Sequence, residues 1–123
     1  MPKGLKTLFL VHGVVSLVFG LPLLIIPGRL LTWVGWAPID PIAGRLLGAV
    51  MLALAWGGFR GWLAEERAKV AILVELEAVY TVLACVGLLR HLLVGSWPLF
   101  PWLVFALHLG FALAWVYFLL RRK

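Results

Sequence analysis

Four apolar runs, each about the length of a membrane crossing, take up most of this 123-residue chain. A hydrocarbon core of about 30 Å needs about 20 mostly apolar residues in a helix. The first run is 7–27, TLFLVHGVVSLVFGLPLLIIP; the others are 41–63, 70–89 and 102–120. Inside lipid, backbone N–H and C=O groups must bond within one helix or around a closed barrel. No segment alternates with period two over barrel-strand lengths, so helices are expected. The chain reads as an all-α polytopic membrane protein, a four-transmembrane-helix bundle in one domain spanning 1–123. The connections are short, so consecutive helices are expected to be antiparallel neighbours.

The hydrophobic share is 64% and the charged share 13%. A soluble domain is about half apolar and about a quarter charged. One this small has too little interior to hide the excess. A soluble globular protein, a disordered chain and a disulfide scaffold are excluded. The one cysteine, Cys85, lies in an apolar run and reads as a small buried residue. Eleven Lys and Arg against five Asp and Glu give a net charge of +6. The bases cluster at the ends of the runs. That pattern points to the lipid bilayer and its headgroups as partner, not to nucleic acid.

Lys3, Lys6, Arg60, Arg67, Lys69, Arg121, Arg122 and Lys123 fall on one side of the membrane, and Arg29, Arg45 and Arg90 on the other. The richer side is expected to be cytoplasmic, with both termini inside and the chain in the inner membrane. Trp33, Trp36, Trp97 and Trp102 then gather at the outer interface. The first run reads as a retained span, because its apolar part is about twice the length of a signal-peptide core and no clean cleavage site follows. Pro27-Gly28 ends it. Asp40 is a natural N-cap for the second helix, with Pro41 at its first position, so Asp40 reads as structural. Between them, GRLLTWVGWAP predicts a short outer interfacial helix or turn; a lid over a cavity is the other use of such a segment. VGSWPLFP predicts a Pro-bounded turn. Ala53, Gly57 and Gly61 in the second helix, and Ala106, Gly110 and Ala114 in the fourth, form small-residue faces. These are expected to pack within the chain, with a homo-oligomer seam or a larger membrane complex as the alternative.

Ionisable residues inside hydrocarbon are expensive and by default mark function. At about 1.5 Å per residue, His12 and Glu75 lie about 9 Å from the inner boundary and Glu77 about 12 Å. Tyr80 and Thr81 lie about 17–18 Å in, His108 about 20 Å and Arg45 about 22 Å. Glu77, Tyr80, Thr81 and Ala84 share one helix face, and His12, Ser16 and Gly20 another. Glu75 is about 200° around from Glu77 and is expected to form a structural ion pair with Arg60. His12, Arg45, Glu77, Tyr80 and His108 form the candidate ligand-binding or proton-relay set. Three uses stand open: a satisfied hydrogen-bond network, a seat for the polar head of a quinone or lipid, and an ion pathway. Haem is disfavoured, because His12 and His108 differ by about 11 Å in depth. A metal at His12 and Glu77 lacks a third ligand. Ser16 shares a helix face with His12 and Ser96 lies in a loop, so no nucleophile–base arrangement exists. No glycine-rich phosphate loop is present. No catalytic residue is assigned, and the chain is not expected to be an enzyme by itself.

His12-Gly13, the stretch PGRLLTWVGW and the opening GRLLGA from Gly44 to Ala49 resemble the small DoxX-like four-helix bacterial membrane proteins. These motifs cover the first half; the second half is similar in hydropathy. The resemblance implies an accessory subunit of quinone-acting oxidoreductases, with His12 and Arg45 at family-typical positions. The paired cysteines of some redox relatives are missing here, which argues against a thiol relay. The function expected is an accessory or lipophilic-ligand-binding subunit. The alternative is a small oligomeric proton-coupled transporter or channel.

Overall fold

The computed structural model describes residues 1–36 and 40–121. Every regular element among them is helical: α1 (Lys3–Ile25), α2 (Pro27–Trp33), α3 (Pro41–Leu63), a 3-10 turn (Arg67–Val70), α4 (Ala71–Leu92) and α5 (Leu99–Leu120). Four segments are long and apolar enough to cross a membrane: α1, α3, the 3-10 turn continued by α4, and α5. The protein is therefore an all-α, integral, multi-pass membrane protein. The chain forms two compact units, Met1–Glu66 and Arg67–Lys123.

In the first unit α1 packs along α3. Glycine makes the approach close. A Cβ placed on Gly48 would lie 2.5 Å from the Leu24 nitrogen and 2.8 Å from the Gly20 carbonyl oxygen. One on Gly58 would lie 2.8 Å from both the Gly13 Cα and the Phe9 carbonyl oxygen. At Gly61 the added atom would enter the Phe9 ring. Lipid tails are as apolar as the side chains, so helices in a bilayer associate through such packing. The small residues that α3 buries are Gly44, Gly48, Ala55, Gly58 and Gly61. This corrects the face expected from sequence: Gly61 belongs to it, but Ala53 is exposed and Gly57 only half-buried.

The turn from α1 to α3 follows its punctuation. Ile26 breaks α1, its N–H reaching back to the Pro22 carbonyl at 2.7 Å. Pro27 opens α2, where a missing N–H does no harm. That helix is the short segment expected between the first two spans. It closes in a Schellman motif: the Gly35 N–H donates to the Thr32 carbonyl and the Trp36 N–H to the Leu31 carbonyl. Gly35 sits at φ +71, which glycine adopts without strain. Ala37 and Pro38, the end of the expected interfacial segment, lie outside the described residues, as do Arg122 and Lys123 at the basic C-terminus.

Asp40 caps α3 as expected. Its Oδ1 accepts from the Ile42 N–H at 2.7 Å and the Ala43 N–H at 3.1 Å. Asp40→Ala leaves both donors without this acceptor and is expected to lose about 1 kcal/mol of stability, checked by denaturant titration in micelles.

In the second unit α4 packs along α5. Helix α4 buries Val74, Glu77, Ala78 and Thr81, one stripe at helical spacing. Helix α5 buries Pro101, Phe111, Ala112 and Trp115. Its expected small-residue face turns away from the core: Ala106 and Gly110 are exposed, and nothing lies within 4 Å of a Cβ added at Gly110. The Arg67 guanidinium donates to the Phe118 carbonyl at 3.2 Å, answering an acceptor that the end of α5 leaves open. Arg121 lies 5.0 Å over the Tyr117 ring, so Arg67 and Arg121 share one end of this unit.

The observed spans start earlier or end later than expected in three places. Helix α1 begins at Lys3, after Pro2, and α5 begins at Leu99, after Pro98. Pro101 also falls in the first turn of α5, where its ring needs no donor. Helix α4 runs on to Leu92.

Candidate functional site

The second unit brings two of the expected residues together. The Tyr80 hydroxyl on α4 lies 3.3 Å from His108 Nε2 on α5, with the rings edge to face and their centroids 5.9 Å apart. Depth along the helices brings them to one level: Tyr80 was expected about 17 Å in and His108 about 20 Å. The second ring nitrogen, Nδ1, lies 2.8 Å from the Val104 carbonyl oxygen one turn earlier on α5. A carbonyl only accepts, so Nδ1 carries the hydrogen. In the neutral ring Nε2 is then the acceptor, and the Tyr80 hydroxyl donates to it. One residue is thus held in one tautomer by its own helix and addressed by the neighbouring helix. Both side chains are half-buried.

Glu77 and Thr81 share the buried stripe of α4, Glu77 at 4% exposure. The Thr81 hydroxyl is spent locally, donating to the Glu77 carbonyl at 2.7 Å and lying 3.3 Å from that of Ala78. Ser and Thr in membrane helices commonly bond back to their own backbone in this way.

In the first unit His12 is buried at 5% exposure, and Ser16 and Gly20 are buried along the same stripe of α1. Arg45 has a specific partner: its Nη1 donates to the Leu24 carbonyl of α1 at 3.2 Å. Leu24 is one of the last residues of α1, whose terminal carbonyls have no acceptor role within the helix. Arg45 therefore ties the start of α3 to the end of α1. Of the expected structural ion-pair residues, Arg60 lies in the last turn of α3 and Glu75 is exposed near the start of α4. Among the described residues no three His, Cys, Asp or Glu side chains gather as metal ligands.

Sequence reasoning missed a second polar group, at the far end of α4. Arg90 and His91 occupy its last turn. The His91 ring lies against Trp97, with centroids 4.6 Å apart, and the Trp97 indole N–H donates to the Val94 carbonyl at 3.3 Å. The available signal was a basic pair followed six residues later by a tryptophan, at an expected membrane interface. Comparison of the chain with protein-family models, with curated proteins and with solved structures returns no match.

Proposed function

We propose that the protein is an accessory membrane subunit that holds the polar head of a lipophilic ligand, a quinone or a lipid, at the Tyr80–His108 pair. The observation behind this reading is the polarity of the pair. The Tyr80 hydroxyl supplies a donor and His108 Nε2 an acceptor, 3.3 Å apart. In the structure the two are spent on each other, so a ligand head must open that bond: a quinone carbonyl then accepts from the phenol, or a quinol hydroxyl donates to the imidazole. One pair thus fits both forms of such a head, in a unit whose flanks are apolar. The DoxX-like resemblance of the first half points to the same ligand class. Orientation belongs to the proposal: Arg67, Lys69 and Arg121 mark the cytoplasmic end of the second unit, and Arg90 the outer end.

The test is titration of the protein in lipid nanodiscs with a short-chain quinone, followed by quenching of tryptophan fluorescence. Saturable binding is expected. Tyr80→Phe and His108→Ala should each weaken it about fivefold, the equivalent of one neutral hydrogen bond. Equal affinity in the parent and both variants would sink the reading. Proton uptake into proteoliposomes that is abolished in Tyr80→Phe would replace it with proton-coupled transport.

A further inference from the structure

Helices α4 and α5 run antiparallel, since Arg67 meets Phe118 at one end and Tyr80 meets His108 midway. Tyr80 lies nine residues beyond Ala71, the first residue of α4, and His108 nine beyond Leu99, the first of α5. Each is therefore about 14 Å along its helix, counted from opposite ends of the unit. That is near the middle of a hydrocarbon core of about 30 Å. A charged or zwitterionic headgroup is expensive at this depth. A phospholipid head is thus a poor occupant of the pair, and a small uncharged head is the fitting one.

The tautomer of His108 narrows the head further. The Val104 carbonyl holds the Nδ1 hydrogen at 2.8 Å, so Nε2 of the neutral ring can only accept. The Tyr80 hydroxyl has one hydrogen to give, and it goes to that nitrogen at 3.3 Å. This is long for a hydroxyl donor, whose bonds centre near about 2.8 Å, so the bond is a weak one to open. The neighbouring hydroxyl on the stripe, that of Thr81, is spent on the Glu77 carbonyl and supplies no substitute.

A carbonyl head takes the phenol hydrogen and gives nothing back to Nε2. A hydroxyl head does both: its lone pair accepts from Tyr80 and its hydrogen goes to His108. Two bonds of about 2.8 Å meeting at one hydroxyl oxygen span about 4.5 Å, so the pair has to part by about 1 Å. One inserted hydroxyl then replaces the bond it opens with two.

We propose, on the reading of this pair as a ligand seat, that it takes an uncharged lipophile headed by a hydroxyl group, a quinol or a long-chain lipid alcohol, in preference to a quinone. The hydroxyl bridges the Tyr80 phenol and His108 Nε2. A bond that only held α4 to α5 would not discriminate between heads.

Isothermal titration calorimetry of the full chain in lipid nanodiscs, under nitrogen and corrected for partition into empty discs, tests the preference. The four ligands are a short-chain quinone, its quinol, the dimethyl ether of that quinol and a lipid alcohol of matching chain length. The quinol should bind about tenfold more tightly than the quinone, the cost of an acceptor deprived of its hydrogen. The dimethyl ether, which cannot donate, should bind no better than the quinone. His108→Ala should lose the preference, because both heads then meet only the phenol. Tyr80→Phe should keep it at lower affinity, because the hydroxyl still donates to Nε2. A lipid alcohol tighter than the quinol makes a lipid the occupant, and a weaker one makes it the quinol; either result supports the hydroxyl head. A quinone or dimethyl ether as tight as the quinol overturns the proposal and leaves the seat itself standing. So does a preference lost in Tyr80→Phe but kept in His108→Ala. Saturation by none of the four ligands overturns the seat as well. The ligand series on the parent protein decides the preference even where a variant fails to fold.

Discussion

Gly48→Ala is expected to destabilise the first unit by about 2 kcal/mol, although alanine is the better helix former. The new methyl would lie 2.5 Å from the Leu24 nitrogen, 2.8 Å from the Gly20 oxygen and 2.9 Å from the Leu23 carbonyl carbon. All three are backbone atoms, so no side chain can rotate away. The two helices must separate or shear, and overpacking of this kind costs about 1–3 kcal/mol. The gain in helix propensity returns at most about 1 kcal/mol. Gly110→Ala supplies the opposite case. Nothing lies within 4 Å of its added Cβ, so only the propensity gain remains. Reversible unfolding in mixed micelles should show opposite signs for the two variants. A Gly48→Ala protein as stable as Gly110→Ala would remove the close α1–α3 contact from the account.

Phe9→Ala is expected to cost about 2–3 kcal/mol, and a partner substitution should recover part of it. The Phe9 ring is fully buried and occupies the space beside Gly61. In a bilayer the apolar transfer gain is small, so the loss comes mainly from the cavity left behind. Gly61→Ala alone is also destabilising, because its methyl enters the space held by the ring. With the ring gone, that methyl has room. The double variant should therefore be more stable than the sum of the single losses, by about 1 kcal/mol or more. Strict additivity in the same unfolding assay would show that ring and glycine do not meet.

How much of this was legible in the sequence depends on whether water or lipid would cover a residue. The spans, the Asp40 cap and the break at Pro27 follow from rules about backbone hydrogen bonds, which hold in any solvent. Counting along the helices puts Tyr80 and His108 about 3 Å apart in depth, and only the packing of α4 on α5 makes them a pair. The packing face of α3 was misjudged because small residues occur on several sides of that helix. In water, polarity would separate a buried face from an exposed one. In lipid both faces are apolar, so Ala53–Gly57–Gly61 and Gly48–Ala55–Gly58 look alike until a neighbouring helix chooses. Arg45 was singled out for its charge, yet its partner, the Leu24 carbonyl, is a backbone atom that no residue pattern marks. Arg90 reads from sequence as a topology marker alone, and the contact of the His91 ring with Trp97 spans a turn that no residue pattern marks.

The contact between His108 Nδ1 and the Val104 carbonyl makes the ring a one-ended device. That hydrogen stays in place whether the imidazole is neutral or cationic, because the carbonyl can only accept. All exchange of charge must then occur at Nε2, facing Tyr80. When a proton arrives there, the phenol can no longer donate to that nitrogen. Its own hydrogen must swing aside and its lone pair must receive the new N–H. Charging the histidine therefore reverses the sense of the bond between the two helices and frees one hydroxyl hydrogen for another acceptor.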